Sequence, residues 1–267
     1  MRVWSGERGK LRFSTEVLYC LGFYGLYWAV RNRQGSHRGS KNQAYTNALR
    51  VIRWEKPLAL NFEHAAQKVF LGSKLFFQVL NTYYGSAHFI VTIVALIWCF
   101  SKRKDRYRRI RNALAVMTAC ALIGFAFFPL MPPRLLPSSY GYVDSLKVFG
   151  GPWSFDSGPA ARVSNQYAAM PSLHFGWSSW CTYTLWPWAS TAKSRFGRWL
   201  RRLFLVGYPL STLFTIVVTA NHYVLDAAGG AVVFAVGIVV GRWLDHAAIV
   251  DRLRMRKVVS PSEAETV

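Results

Sequence analysis

Acidic residues are scarce in this sequence, with 12 aspartates and glutamates against 33 lysines and arginines and a net charge of +21. Such an excess of positive charge is typical of proteins that bind nucleic acid or a membrane surface. The basic residues are confined to a few clusters that alternate with long uncharged blocks. This distribution argues against a nucleic-acid partner and indicates topology determinants beside anionic lipid.

Cysteine is also rare, and each of the four cysteines lies in an apolar block: Cys20, Cys99, Cys120 and Cys181. We expect small core residues there and no paired disulfides. Internal repeats and low-complexity regions are absent from the sequence, and the first apolar stretch runs into "WAVRNR" without a small-residue cleavage site. A cleaved signal peptide is therefore not expected.

Uncharged apolar sequence is abundant, since hydrophobic residues make up 52% of the chain and aromatic residues 16%. A helix needs about 20 residues to cross a bilayer. We predict an all-α integral membrane protein with six transmembrane helices, at about 13–30, 82–100, 112–131, 171–190, 203–221 and 226–244. The first is the weakest because Glu16 lies inside it. The mean hydropathy of +0.15 is low because basic loops dilute the apolar blocks.

Residues 58–80 mix apolar positions at helical spacing with charged ones, which predicts an amphipathic interfacial segment before the second span. From this segment Glu63 and His64 could reach a site at the outer surface. We expect one membrane domain over residues 1–267. Residues 1–80 contribute a span, a basic loop and the amphipathic segment, residues 82–245 the core, and residues 246–267 a basic cytoplasmic tail.

Basic clusters at 102–111, 193–202 and 242–257 all fall on one side of a six-span arrangement, as the positive-inside rule requires. Both termini are then cytoplasmic. The basic segment 31–57 falls outside, against the rule, although long loops can cross regardless of charge. The arginine-rich content and the compact size favour a bacterial plasma membrane.

This topology brings three polar motifs to the extracytoplasmic face: "FPLMPPRLLP" (128–137), "MPSLHF" (170–175) and "TANHYVLDAAGG" (219–230). An ionisable group at membrane depth is costly and indicates function by default. In the second motif Pro171 suits the first turn of a helix. The free N–H groups of that turn and the Ser172 hydroxyl favour an anion, and His174 follows at the interface. A helix cap with one interfacial histidine is the alternative.

In the third motif His222 and Asp226 are four residues apart, which places them on one face of a helix. A carboxylate beside an imidazole fixes its tautomer and prepares it as a base or a nucleophile. Arg134 of the first motif can bind a phosphate with two hydrogen bonds. The alternatives are a structural His–Asp pair, an arginine that meets lipid head groups, and a zinc site built from two histidines and an aspartate.

These motifs resemble the type 2 phosphatidic acid phosphatase superfamily over about residues 82–245. "PSLH" is similar to its second motif, "HYVLD" to its third, and "FPLMPPRLL" to the proline-rich segment of the inositol phosphorylceramide synthase group. The resemblance implies that His222 forms a phosphohistidine, Asp226 orients it, and His174 acts as acid and then as base. Ser172 and Arg134 would hold phosphate oxygens, with no metal and no cofactor.

The sequence departs from the phosphatase pattern in two places. The arginine that precedes the phosphatase histidine by six residues is replaced by Ile216, and the lysine of the first phosphatase motif has no clear match. The lipid phosphotransferase branch, which includes inositol phosphorylceramide synthases, is more similar because it carries a His-Tyr-x-x-Asp form. This departure favours transfer slightly over hydrolysis.

The sequence thus predicts a membrane lipid phosphatase or phosphotransferase that acts at the extracytoplasmic face. Its substrate would be a lipid phosphoester or pyrophosphate, and its acceptor a polyol, a sugar alcohol or water. Four further residues are possible head-group contacts: Asn221, Tyr223, Arg162 and His88. A non-enzymatic lipid-binding scaffold or a transporter is the alternative. The uncharged centres of spans three to six argue against a transporter.

Overall fold

A computed structural model of the chain describes residues 13–34, 38–150 and 166–259. In these ranges the protein is α-helical apart from short 3₁₀ turns and one isolated bridge between Leu130 and Ala168. The helices are α1 (Phe13–Gln34), α2 (Arg38–Glu55), α3 (Glu63–Phe70), α4 (Lys74–Lys102), α5 (Lys104–Phe127), α6 (Ser145–Val148), α7 (Leu173–Ala189), α8 (Arg195–Val218) and α9 (Val224–Val259).

Within these ranges, four helices are long and apolar enough to cross a membrane: α4, α5, α8, and α9 as far as Ala247. They correspond to the second, third, fifth and sixth predicted spans. The fourth predicted span forms α7, which has only 17 residues. The first forms α1, which contains Glu16, Arg31 and Arg33. Length and composition therefore support an all-α membrane protein with four candidate spans, and they do not show six.

The N-terminal part is more helical than the sequence predicts. Residues 38–55 form helix α2, where we expected a basic loop. The amphipathic segment 58–80 is not one helix either. Only Glu63–Phe70 forms a separate helix, and residues from Lys74 onward already belong to α4, whose start is capped by the Ser73 hydroxyl. The second predicted span, 82–100, lies within α4, which begins eight residues earlier, at Lys74.

Small residues allow the backbones of α5 and α9 to approach closely. A Cβ on Gly237 would lie 2.5 Å from the Ala113 carbonyl oxygen, and one on Gly241 2.7 Å from the Ala113 nitrogen. Close approach through small residues is the common way for membrane helices to pack. Two indole N–H groups fasten α7 to α5, since Trp180 donates to the Ile110 carbonyl at 3.0 Å and Trp177 to Thr118 at 3.1 Å.

All four cysteines are free thiols, as the sequence predicts. The proline-rich segment 128–137 is held between α2 and the residues that precede α7. The Asn47 amide donates to the Pro129 carbonyl at 2.9 Å, and the Leu130 N–H donates to the Tyr167 carbonyl at 2.7 Å. The Met131 N–H donates to the Ala44 carbonyl at 3.2 Å. These bonds satisfy the backbone of an irregular segment and fix the place of Arg134 within it.

Candidate active site

The centre of the candidate site lies in the short turn between α8 and α9. Ala220 has a left-handed backbone with φ of 53°, a conformation that costs a residue with a Cβ about 1–2 kcal/mol. The N–H groups of Asn221 and His222 both donate to the Ile216 carbonyl, at 3.0 and 3.1 Å. This tight reversal closes the end of α8 and brings His222 directly before the first turn of α9.

His222 and Asp226 form a buried pair with an Nδ1 to Oδ2 distance of 3.2 Å. The same Oδ2 accepts the Tyr223 N–H at 2.9 Å, so the carboxylate is held from two sides. An Asp partner on Nδ1 favours the tautomer in which Nε2 carries a lone pair. Nε2 is buried and has no hydrogen-bond partner among the described residues. This nitrogen is therefore available to an incoming atom.

A backbone hydrogen bond joins the second motif to the third. The Ser172 N–H donates to the Asp226 carbonyl oxygen at 2.9 Å. The Ser172 hydroxyl caps α7 by accepting the Phe175 N–H at 3.4 Å, and its own hydrogen remains available to donate. In the first turn of α7, the His174 ring lies 5.5 Å from the His222 ring between centroids. The two predicted histidines therefore face one another, although 48 positions of sequence separate their motifs.

Two side chains of α4 complete the surroundings of His174. The Tyr84 ring stacks on it at 4.1 Å, and the His88 ring meets it edge-on at 4.4 Å. The face of an aromatic ring can accommodate an imidazole with or without a proton, so this stacking is compatible with an acid at His174. His88 was predicted only as a head-group contact, and Tyr84 as an interfacial aromatic. Their spacing of four residues on α4 is the sequence signal that both point to one place.

A small cavity of about 10 Å³, with room for about one water molecule, opens beside His174. It is lined by Ile216, which occupies the position of the phosphatase arginine, and by Tyr83, Tyr84, His88, His174, Thr212 and Thr215, whose surface towards the cavity is mostly apolar. The Tyr83 hydroxyl lies 2.9 Å from the Thr212 hydroxyl. A space of this size beside an imidazole suits one water molecule or one hydroxyl group.

Arg134 lies beside the turn that carries His222. Its Nε donates to the Asn221 side chain at 2.9 Å, its Nη1 pairs with Asp144 at 2.9 Å, and its backbone N–H donates to the Ala220 carbonyl at 2.9 Å. Asn221, predicted as a head-group contact, thus orients the arginine instead. Asp144 was not predicted, because nothing in its local sequence marks it as the partner of an arginine ten residues away.

Of the other predicted head-group contacts, only Tyr223 lies within the described residues. Tyr223 is fully buried and packs with Leu130 and Met131, away from the pocket. Arg162 lies outside the described residues. His64, which we expected could reach the site, packs edge-on against Tyr142 with 5.6 Å between ring centroids.

Two glutamates that lie far away in sequence hold the start of α9. Glu63 accepts the Val224 N–H at 3.1 Å, and Glu55 accepts the Leu225 N–H at 2.8 Å. Both side chains are fully buried. Burial raises the pKa of Glu55 to about 9, with a contribution from the neighbouring Asp226, and burial also raises the pKa of Glu63. Glu55 is the only acid in the basic segment 31–57, which is the one sequence signal that could have singled it out.

No group of three or more histidine, cysteine, aspartate or glutamate side chains within the described ranges has the geometry of a metal site. The chemistry that the described residues offer is that of a nucleophile and an acid. A buried imidazole with an available Nε2, a second imidazole that faces it and a nearby guanidinium are suited to phosphoryl transfer. The fold and the site together define an all-α membrane protein with four candidate spans and two imidazoles that face one another.

Comparison with known families agrees with this class. Residues 49–240 match the PAP2 superfamily, and the chain belongs to it. Membership indicates a membrane phosphatase or phosphotransferase that acts on lipid phosphates, in a family whose enzymes are typically metal-independent. The match supports no single branch, so the similarity to inositol phosphorylceramide synthases stays a prediction. Comparisons with curated proteins and with solved structures gave no match.

Proposed function

We propose that the protein is a metal-independent lipid phosphotransferase or phosphatase that works through a phosphohistidine on His222. The substrate is a lipid phosphoester or pyrophosphate, and the acceptor is a polyol, a sugar alcohol or water. The observation that carries the proposal is the buried His222–Asp226 pair, whose Nε2 has no partner among the described residues while the His174 ring lies 5.5 Å away.

In the first step the Nε2 lone pair of His222 attacks phosphorus, and the bond from phosphorus to the leaving oxygen breaks. His174, protonated against the Tyr84 ring, gives its proton to that oxygen. Asp226 stabilises the positive charge on the phosphorylated imidazole. Arg134, whose backbone N–H bonds the turn, and the Ser172 hydroxyl are donors beside the turn, and we assign them to the phosphate oxygens.

In the second step the acceptor hydroxyl transfers its proton to His174, and its oxygen attacks the phosphohistidine. The nitrogen–phosphorus bond breaks and His222 regains its lone pair. A transferase must hold the acceptor and exclude competing water. The cavity beside His174 has room for one acceptor hydroxyl or one water molecule, so it fits either acceptor. The preference for transfer rests on the sequence resemblance to the lipid phosphotransferase branch.

The proposal includes a six-span topology, in which α1 and α7 cross the membrane in addition to the four candidate spans. Basic clusters then flank the cytoplasmic ends of the helices, and the site faces the extracytoplasmic side of a bacterial plasma membrane. A lipid substrate fits this placement, because its phosphate lies at the depth of the membrane interface.

The test uses purified protein in lipid discs with a panel of phosphate- and pyrophosphate-bearing lipids, with and without inositol. Free phosphate and new phospholipid products are both followed, and a labelled substrate phosphate tests for an acid-labile phosphohistidine. The central variant is His222→Ala. The matched control is His246→Ala, because His246 is exposed near the far end of α9.

We expect turnover and labelling in the wild type and in H246A, and neither in H222A. Free phosphate as the product identifies hydrolysis, and a new phosphorylated lipid or polyol identifies transfer. Turnover that H222A leaves unchanged would overturn the assignment of the nucleophile. A folded wild-type protein that binds these lipids without turning any over would favour the non-enzymatic scaffold.

A further inference from the structure

The contacts at the start of α9 carry an inference about Glu55 and Glu63 that rests on the proposed role of His222 and Asp226. Each glutamate uses its Oε1 to accept one N–H of the first turn, from Leu225 and Val224 respectively. Each Oε2 is buried and receives no N–H or O–H from another described residue. Because Val224 and Leu225 are consecutive residues, the two carboxyl groups lie side by side at the same turn of α9.

A hydrogen bond between two carboxyl groups requires a proton, since two carboxylates have acceptors only. We infer that Glu55 and Glu63 share a single proton, and that this carboxyl pair holds the start of α9 so that Asp226 and His222 keep their catalytic alignment. Glu55 is the donor and Glu63 the acceptor. In this arrangement every oxygen of the pair has a partner, and the pair carries one negative charge.

The groups that face the pair agree with a shared proton. The acidic neighbours are Asp226 on α9, Tyr142 in the segment before α6, and Tyr223 in the turn before α9, with His64 of α3 packed behind Tyr142. In the described ranges, no lysine, arginine or histidine nitrogen lies within 4 Å of either glutamate. If both glutamates were ionised, two buried negative charges would lie near a third carboxylate, Asp226, with no cation beside them. Burial therefore raises the pKa of both glutamates.

The pair acts on catalysis through α9 and does not touch the reacting atoms. It occupies the N–H groups of Val224 and Leu225, so the start of α9 is closed to a substrate phosphate, and one negative charge suits the positive end of the helix. When the shared proton is lost, the two carboxylates repel each other and Asp226. The first turn of α9 then shifts, and the His222–Asp226 pair shifts with it.

The proton can be observed directly. Infrared spectra of the protein in detergent contain a C=O band from each protonated carboxylic acid, and we expect the band of this pair to vanish as the pH rises through about 9. Glu55→Gln should remove the band at every pH. Glu16→Gln is the matched control because Glu16 is paired with Arg111. A band that E55Q leaves unchanged would overturn the shared proton.

Thermal unfolding tests the same proton through linkage. The folded pKa of Glu55, about 9, is above the ordinary 4.5, so its contribution to stability is present in full below 4.5 and is lost as the pH rises to about 9. The E55Q amide copies the protonated acid, since it accepts from Leu225 and donates to Glu63. We therefore expect the Tm of E55Q to fall less than that of the wild type between pH 6 and 9. Parallel curves would overturn the proposal.

Activity separates positioning from mere folding. We expect Glu55→Ala to lower kcat at least tenfold and to leave KM nearly unchanged. We expect E55Q to keep most of the wild-type kcat. In E55Q the loss of activity at alkaline pH should begin at a higher pH than in the wild type. The double variant E55Q/E63Q brings two amide N–H₂ groups together and should lose the rescue. If no substrate is turned over, the proposed function fails, and the infrared and thermal results still decide the carboxyl pair. Full activity in E55A would refute the positioning role.

Discussion

Gly230 lies where α9 crosses the start of α7, and replacing it with alanine tests whether the two histidine motifs depend on this contact. A Cβ at position 230 would overlap the carbonyl oxygen of Ser172 and lie 3.3 Å from the Gly176 nitrogen. Both neighbours are backbone atoms, which cannot move aside as the end of a flexible side chain can. The two helices must therefore move apart. This movement lengthens the 2.9 Å hydrogen bond from the Ser172 N–H to the Asp226 carbonyl oxygen.

The expected magnitude combines two opposing effects. Overpacking costs about 1–3 kcal/mol, and replacing a helical glycine with alanine returns up to about 1 kcal/mol. The net loss of about 1–2 kcal/mol lowers Tm by about 2–8 °C in a chain of this size. The effect on catalysis is larger. A displacement approaching 1 Å between His174 and His222 reduces kcat by about 100-fold.

Gly207→Ala is the matched control, because a Cβ at that position in α8 meets nothing within 4 Å. We expect G207A to be slightly more stable than the wild type and equally active. The measurements are Tm in detergent and kcat in lipid discs for both variants. Wild-type kcat in G230A would refute the view that the contact between α7 and α9 aligns the histidines.

Three further outcomes are expected. Asp226→Asn leaves the protein folded but lowers kcat by about 10³–10⁴-fold, because the amide supports the wrong imidazole tautomer; single-turnover kinetics that match the wild type would contradict this. Arg134→Lys cannot keep the fork that bonds both Asn221 and Asp144, and we expect about a tenfold loss in kcat/KM, whereas full activity would remove the arginine from phosphate binding. We expect a strong chelator to leave the initial rate unchanged. Activity that is lost with the chelator and returns when a metal ion is added would exclude a metal-free mechanism.

The motif residues could be predicted because their chemistry is local in sequence. His222 and Asp226 lie four positions apart on the chain and meet as the helical repeat requires. Ser172 caps α7 as its place after a proline indicates. The apolar blocks also predicted the four candidate spans, since length and composition alone define them. The charge distribution predicted that the three motifs share one face. The contacts of Arg134 and Ser172 with the third motif agree with that prediction.

The remaining features depend on contacts between distant parts of the chain. Glu55 and Glu63 bond N–H groups that lie 170 and 161 positions further along, and no local pattern carries that pairing. The amphipathic segment was wrong in extent because periodicity does not show where Gly72 and Ser73 interrupt the helix. The fourth predicted span forms a helix of only 17 residues, α7, which ends at Ala189 two residues after Pro187. Asp144 reaches Arg134 by tertiary packing, and nothing in its local sequence marks it as a partner.

The order in which a ribosome makes the chain gives the glutamate contacts a further consequence. Glu55 and Glu63 are synthesised long before Val224 and Leu225, whose N–H groups they accept. Until α9 is made, these two acids lack the N–H groups that bond them, and burying them is costly. We therefore expect a nascent chain that stops before Val224 to keep both acids in water. The burial of His222 would then follow the synthesis of α9.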